Sequence, residues 1–249
     1  MKALITGASS GLGREFAIEL SNMGYDLILV ARRKTRLEKL KKELNTNVEI
    51  ITLDISSTFN CMELYRQVKK EKIDVLINNA GFGLFGKFDE SKLDNELDMI
   101  DLNIKTVHTL TKLFLKDFKK RDSGYILNVA SAAAFLPGPL MATYYSTKAY
   151  VLNLTEAIHQ ELKVDDSNVY VGALCPGPVD TEFNDVAKVT FSVKPLSSEE
   201  VVKYAIKKMF KRKLVIIPGF KTKCGIYLSK ILPLKLKLSV SYRLQKSKR

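Results

Sequence analysis

Cysteine and histidine are scarce in this chain. Three cysteines (Cys61, Cys175, Cys224) and two histidines (His108, His159) occur among 249 residues. An odd number of widely spaced thiols is a poor disulfide framework and a poor zinc site, and it fits a reducing cytoplasm best. Two histidines on predicted helices leave too few ligands for histidine-based metal catalysis, so no metal site is expected. Long apolar runs are also missing: no stretch reaches the ~18 uncharged residues that a membrane-spanning helix needs. The opening MKALITGASSGLG reads as a strand followed by glycines, not as a signal peptide. With 46% hydrophobic and 27% charged residues, disorder is excluded, and the length suits one α/β domain or two small ones.

Acidic residues disappear toward the C-terminus. Residues 201–249 hold 15 Lys/Arg and no Asp or Glu, whereas residues 1–200 hold 25 against 27. The formal net charge of +13 therefore belongs to the end of the chain and not to its body. Such a tail suits an anionic surface; without aromatic-rich reading motifs, no nucleic acid is expected.

What is present is alternation. Apolar runs over Lys2–Thr6, Asp26–Ala31, Val48–Leu53, Asp74–Ile77, Gly124–Val129, Val169–Leu174 and Leu214–Ile217 read as buried strands. Helical stretches separate them: Gly11 to Gly24, Lys34 to Leu44, about Ser57 to Lys70, Leu93 to Lys120 as one unit, Ala142 to Lys163, and Ser198 to Phe210. Alternating β and α units predict an α/β doubly wound parallel sheet, a Rossmann-type fold. The expected organisation is one domain over residues 1–218 and a basic extension over 219–249.

Between the first strand and helix stands Thr6-Gly7-Ala8-Ser9-Ser10-Gly11-Leu12-Gly13. Glycines there permit a sharp turn close to a pyrophosphate, which the free N–H groups of a helix N-terminus stabilise. No Lys-Ser/Thr follows, which disfavours a nucleoside triphosphate loop. At the end of the second strand, where an acid would bind a free ribose 2′-hydroxyl, stand Ala31, Arg32 and Arg33. Two guanidinium groups suit a 2′-phosphate, so NADP(H) is the expected cofactor, with Arg32 the leading contact. Asp54 either holds the adenine amino group or caps the next helix.

Tyr144 and Lys148 lie four apart on one predicted helix and share a face. A phenol titrating near ~10 is too weak an acid for neutral pH, and a neighbouring ammonium is expected to lower that value. Ser131, at the end of the fifth strand, can hydrogen-bond a substrate oxygen to which Tyr144 gives a proton.

These motifs in order, TGASSGLG (6–13), NNAG (78–81), Asn103, Ser131, Tyr144-x-x-x-Lys148 and PGPVDT (176–181), resemble the short-chain dehydrogenases/reductases over about residues 2–218. The resemblance implies that Lys148 also grips the nicotinamide ribose and that Asn103 holds a water linking Lys148 to solvent. It implies that Ile55, Asn79, Ala80 and Gly81 line the cofactor, with Asn78 a sheet stabiliser. Pro176, Gly177, Val179 and Thr181 would cover the nicotinamide. It also implies a homodimer or homotetramer built through the helix bearing Tyr144.

The substrate cavity is expected from 82–88, 132–143 and 182 to about 194, with Phe82, Phe135 and Met141 beside Ser131. Their apolar character points to a hydrophobic carbonyl or alcohol as the small-molecule partner. A dinucleotide-binding sensor or scaffold without turnover is the alternative. In the tail, Ile226, Tyr227, Ile231 and Leu232 are expected to share part of a helix face. The alternation of Leu234, Leu236, Leu238 and Val240 is a strand signal, with a short amphipathic helix as the other reading. The tail's expected roles are peripheral contact with an anionic membrane, cover for the active site, dimer packing, or a solvated extension on its own domain.

Overall fold

In a computed structural model describing residues 1–187 and 195–246, seven strands form one parallel sheet in the order β3-β2-β1-β4-β5-β6-β7. The strands are β1 (Lys2–Thr6), β2 (Asp26–Ala31), β3 (Val48–Thr52), β4 (Val75–Asn78), β5 (Gly124–Val129), β6 (Val169–Leu174) and β7 (Val215–Ile216). Their apolar runs are continuous because both faces are covered. Ala3 and Ile5 of β1 face a layer built by α1 (Gly11–Asn22) and α8 (Ser198–Phe210), where Phe16, Leu20, Val202 and Met209 are fully buried. Leu4 points the other way, into a layer built by α3 (Thr58–Val68) and α5 (Val107–Lys120) around Leu64, Leu110 and Phe114. The remaining helices are α2 (Lys34–Glu43), α4 (Leu93–Ile100), α6 (Ala142–Val164), α7 (Phe183–Ala187), α9 (Phe220–Ile231) and α10 (Leu234–Lys246).

The strand order reverses between β1 and β4, and this switch point positions the site. Asn78 is the sheet stabiliser there: its amide donates to Thr111 Oγ1 at 3.1 Å and to Asn128 Oδ1 at 2.9 Å, all three residues being buried. Two helix entries, those of α3 and α8, are capped by local side chains. Ser57 accepts from Asn60 N to open α3, and Ser197 with Glu200 forms a capping box on α8.

Three expectations change. Residues 93–120 are not one α-helix, because a π-helical turn at Asp101–Thr106 separates α4 from α5. Residues 234–240 are helical, since α10 docks through Ser241 Oγ, which donates to the Pro137 carbonyl at 2.9 Å, and through Gln245. In α9 Ile226 is buried and Thr222 packs against Gly177; Tyr227 and Ile231 are exposed, so they do not share that face. Residues 188–194, part of an expected substrate segment, lie outside the described residues, as do 247–249.

Candidate active site

A cavity of about 660 Å³ runs along the carboxyl ends of the strands, from the glycine turn after β1 to the N-terminal part of α6. At one end Gly7 and Gly11 have φ of +66° and +52°, the left-handed region open to glycine. A Cβ on Gly7 would meet Ala80 Cα and Asn79 Nδ2 at 2.9 Å, so the turn is pressed against the segment after β4. Asn79 ties the two together by donating from Nδ2 to Thr6 O (3.0 Å) and Gly7 O (3.3 Å). Gly13 is not on the cavity wall; a Cβ there would lie 2.3 Å from Gly7 O, so it serves helix packing. The Ser10 side chain makes no capping bond, which leaves the first N–H groups of α1 without a side-chain cap.

The two arginines separate. Arg33 Nε and Nη2 donate to Ser9 Oγ at 3.1 and 3.0 Å, and Nη2 donates to Ser10 Oγ at 2.7 Å. Its Nη1 pairs with Glu182 at 2.9 Å, and Arg36 binds the other oxygen of that carboxylate. Those guanidinium contacts, Arg36 first, hold the Glu182 carboxyl below its ordinary range. Arg32 stands at the rim, 72% exposed and 3.7 Å from Asp54, whose carboxylate accepts from Ser56 N. The guanidinium engaged with the turn is thus that of Arg33.

At the other end, Ser131, Tyr144 and Lys148 come together on the wall they share with Phe82 and Met141. Ser131 Oγ accepts from Ala133 N at 3.1 Å, and Lys148 Nζ donates to Val129 O at 2.9 Å. Burial pushes the Tyr144 phenol well above its ordinary value, with the Ser131 hydroxyl pulling the other way. The expected lowering by Lys148 is not found: its Nζ is 5.9 Å from the ring centroid, and burial brings the ammonium itself down to about 8. Asn103 spends its carboxamide elsewhere, accepting from Phe82 N (3.1 Å) and donating to Phe82 O (2.9 Å) and Thr147 Oγ1 (3.1 Å). Its side chain therefore clamps the segment after β4 and makes none of these bonds to Lys148.

Phe135 does not line the cavity. It packs toward Val107, Val151 and Cys175, with Lys230 Nζ 5.7 Å from its ring. Ser9, Ser10, Gly11, Leu12, Ile55, Ala80, Gly81, Pro176, Gly177, Val179 and Thr181 do line it. Asn184, in the expected substrate segment, stands on the wall, and so does Tyr145, which nothing in its sequence setting marks. Phe183 belonged to an expected substrate segment; its ring sits 5.3 Å from that of Tyr144. Cys175 is fully buried, and burial pushes its thiol up to about 12, so it is a core residue.

The family model described as short chain dehydrogenase matches residues 1–189. An oxidoreductase of Staphylococcus epidermidis is 34% identical over 186 residues, 74% of this chain and 80% of that protein. A human very-long-chain 3-oxoacyl-CoA reductase is 32% identical over 213 residues, 82% of this chain and 67% of that protein. Among solved structures, a Sphingobium yanoikuyae short-chain dehydrogenase in complex with NADPH superposes with a TM-score of 0.82 at 29% identity, covering 93% of this chain and 96% of that one.

Proposed function

The chain belongs to the short-chain dehydrogenases, and from that membership we propose that it interconverts an apolar ketone or aldehyde with its alcohol, using NADP(H). The observation that carries this reading is the convergence of Ser131, Tyr144 and Lys148 on one wall of a cavity that continues to the glycine turn. The residues present fit the dinucleotide. The Gly7–Gly13 turn and the start of α1 would take the pyrophosphate, and Arg33 with Ser9, Ser10 and Arg32 would take the 2′-phosphate. Asn79 to Gly81 and Pro176 to Thr181 would flank the nicotinamide half, with Asp54 and Ile55 at the adenosine end. When bound, the dinucleotide gives or takes the two electrons of the reaction as hydride.

This chain's own groups handle the proton and the oxygen. Ser131 Oγ accepts a bond from Ala133 N and its hydroxyl meets the Tyr144 phenol, so a carbonyl oxygen placed between the two would take its O–H. Tyr144, buried beside it, gives that oxygen its proton in reduction and takes one back in oxidation. Lys148 uses one N–H on Val129 O and keeps two for a ribose hydroxyl and for the proton supply to the phenol. With a pKa near 8, its ammonium gives up a proton far more readily than an exposed lysine does. Phe82, Met141 and Phe183 shape an apolar pocket next to these groups, and the human relative named for a long acyl chain agrees with such a substrate class. A sensor without turnover has no use for an ammonium buried beside a phenol, and the catalytic reading is preferred on that ground.

Fluorescence titration with NADPH and NADH, followed by a panel of apolar ketones and aldehydes, tests the proposal. NADPH is expected to bind more tightly and to be consumed. Tyr144→Phe should lower kcat by ~10²-fold or more while NADPH binding is retained, whereas Tyr145→Phe should be mild. The opposite ranking of the two tyrosines would overturn the assignment.

A further inference from the structure

We infer that the outer face of α9 and α10 is a docking surface for an anionic lipid bilayer. In α9 the buried residue is Ile226, while Phe220, Tyr227, Leu228 and Ile231 are 82, 56, 57 and 78% exposed. Their spacing, i, i+7, i+8 and i+11, puts them in one stripe along the solvent side of the helix. At 100° per residue, Lys221 falls on one flank of the stripe and Lys223 and Lys230 on the other. An apolar ridge between two rows of ammonium groups is the pattern of a helix lying in a membrane interface: the apolar side chains enter the acyl boundary and the lysines meet phosphates.

The second helix extends the surface. It turns its polar row, Ser241 and Gln245, inward, and that arrangement is the reverse of an ordinary core-facing helix. Leu236 and Val240 lie on the opposite, outward side, while Leu234 and Leu238 continue the inward row toward the start of the helix, where nothing buries them; all four are exposed. Residues 219–249 contain nine Lys/Arg and no acid. That charge decides the occupant. A second copy meeting this face about a two-fold axis would set lysines against lysines, whereas an anionic bilayer neutralises them and covers the stripe. No helix among the described residues is long and apolar enough to cross a membrane, so the contact is peripheral.

The surface adjoins the substrate end of the cavity. Ser241 is bonded to Pro137, Gln245 to the Tyr145 hydroxyl, and Tyr145 stands on the cavity wall. Docking therefore brings the apolar pocket beside the bilayer, so that a lipophilic carbonyl compound reaches it from the membrane. This last step rests on the proposed carbonyl chemistry; the docking itself does not.

The test is co-sedimentation of the full chain with vesicles of phosphatidylcholine alone or with 30 mol% phosphatidylglycerol, with sedimentation velocity on the protein alone. Partitioning at least ~10-fold higher onto the anionic vesicles, weakened by salt, is expected from the cluster of lysines. Phe220→Ser with Ile231→Ser should lose that partitioning while keeping the circular dichroism spectrum and NADPH oxidation of the wild type. Equal partitioning onto both vesicles, or none, would overturn the inference. So would a wild-type oligomer that the double variant dissociates, because a second copy would then own the face. Turnover measured on the same preparation keeps the readings apart: docking without turnover defeats the carbonyl chemistry alone, and turnover without docking defeats the surface alone.

Discussion

Lys148 is 5% exposed, and burial brings its pKa from 10.5 to about 8. Between those values the unfolded chain binds the extra proton, so this residue makes stability rise with pH across that window; below pH 8 both states are protonated and the penalty is fully present. Lys148→Met removes the titration. The stability of the variant relative to wild type, from urea unfolding, should therefore fall by ~2–3 kcal/mol between pH 7 and pH 10. A difference that stays level with pH would mean that this ammonium is not penalised. Glu182 poses a second question of charge, since its carboxylate occupies Arg33 Nη1 beside the serines of the glycine turn. These partners are about half exposed, and such a pair is worth at most about 1 kcal/mol. A 2′-phosphate must share Arg33 with it. Glu182→Gln is expected to tighten NADPH by up to ~5-fold and to leave NADH unchanged, a ceiling set by the same weak pair. Equal effects on both nucleotides would detach Glu182 from the 2′-phosphate.

At the scale of elements, most of the architecture was legible because strands buried on both faces must be apolar throughout, and six such runs precede the seventh at 214–217. The π-helical turn at Asp101–Thr106 was not legible: it is a single turn between two segments that each keep the ordinary α-helical period. Its site is marked by a tertiary bond, the Asn103 carboxamide reaching back to both backbone groups of Phe82. Asn103→Ala leaves that half-buried backbone without its partner. A loss of about 1–3 kcal/mol in urea unfolding is expected; a change below ~0.5 kcal/mol, the size of an ordinary surface substitution, would remove the clamp role. α10 was open between strand and helix for a related reason. Leucine and lysine alternating through 234–238 match a strand's period, yet both are good helix formers. The helix wins because its i, i+4 row of Ser241 and Gln245 finds Pro137 and Tyr145, partners about a hundred residues away. No local pattern contains that information. The Arg33–Ser9–Ser10 cluster shows the same limit: the sequence placed two arginines at the right strand end but could not say which one turns toward the glycines.

On the scale of the whole molecule, two halves of one cavity depend on different parts of the chain. The glycine-turn end is made chiefly by the ends of β1, β2 and β4 with α1, within the first 81 residues, and is closed by residues 176–181. The substrate half is walled by Met141, Tyr145 and Phe183, and its outer side is braced by a helix at the far end of the chain. Removing residues 234–249 takes away the Ser241 and Gln245 bonds and uncovers Tyr145, but it touches none of the contacts at the glycine turn. The two halves should therefore respond separately. NADPH affinity is expected to stay within ~2-fold, while KM for a carbonyl substrate rises by ~5-fold or more, as loosened positioning of a reactant allows. Gln245→Leu, which keeps the helix and deletes one bond, should give a smaller rise in KM in the same direction. If the truncated chain lost NADPH binding and substrate binding together, α10 would be holding the domain as a whole. If neither changed, the bonds to Pro137 and Tyr145 would be surface contacts, and the tail would owe nothing to catalysis.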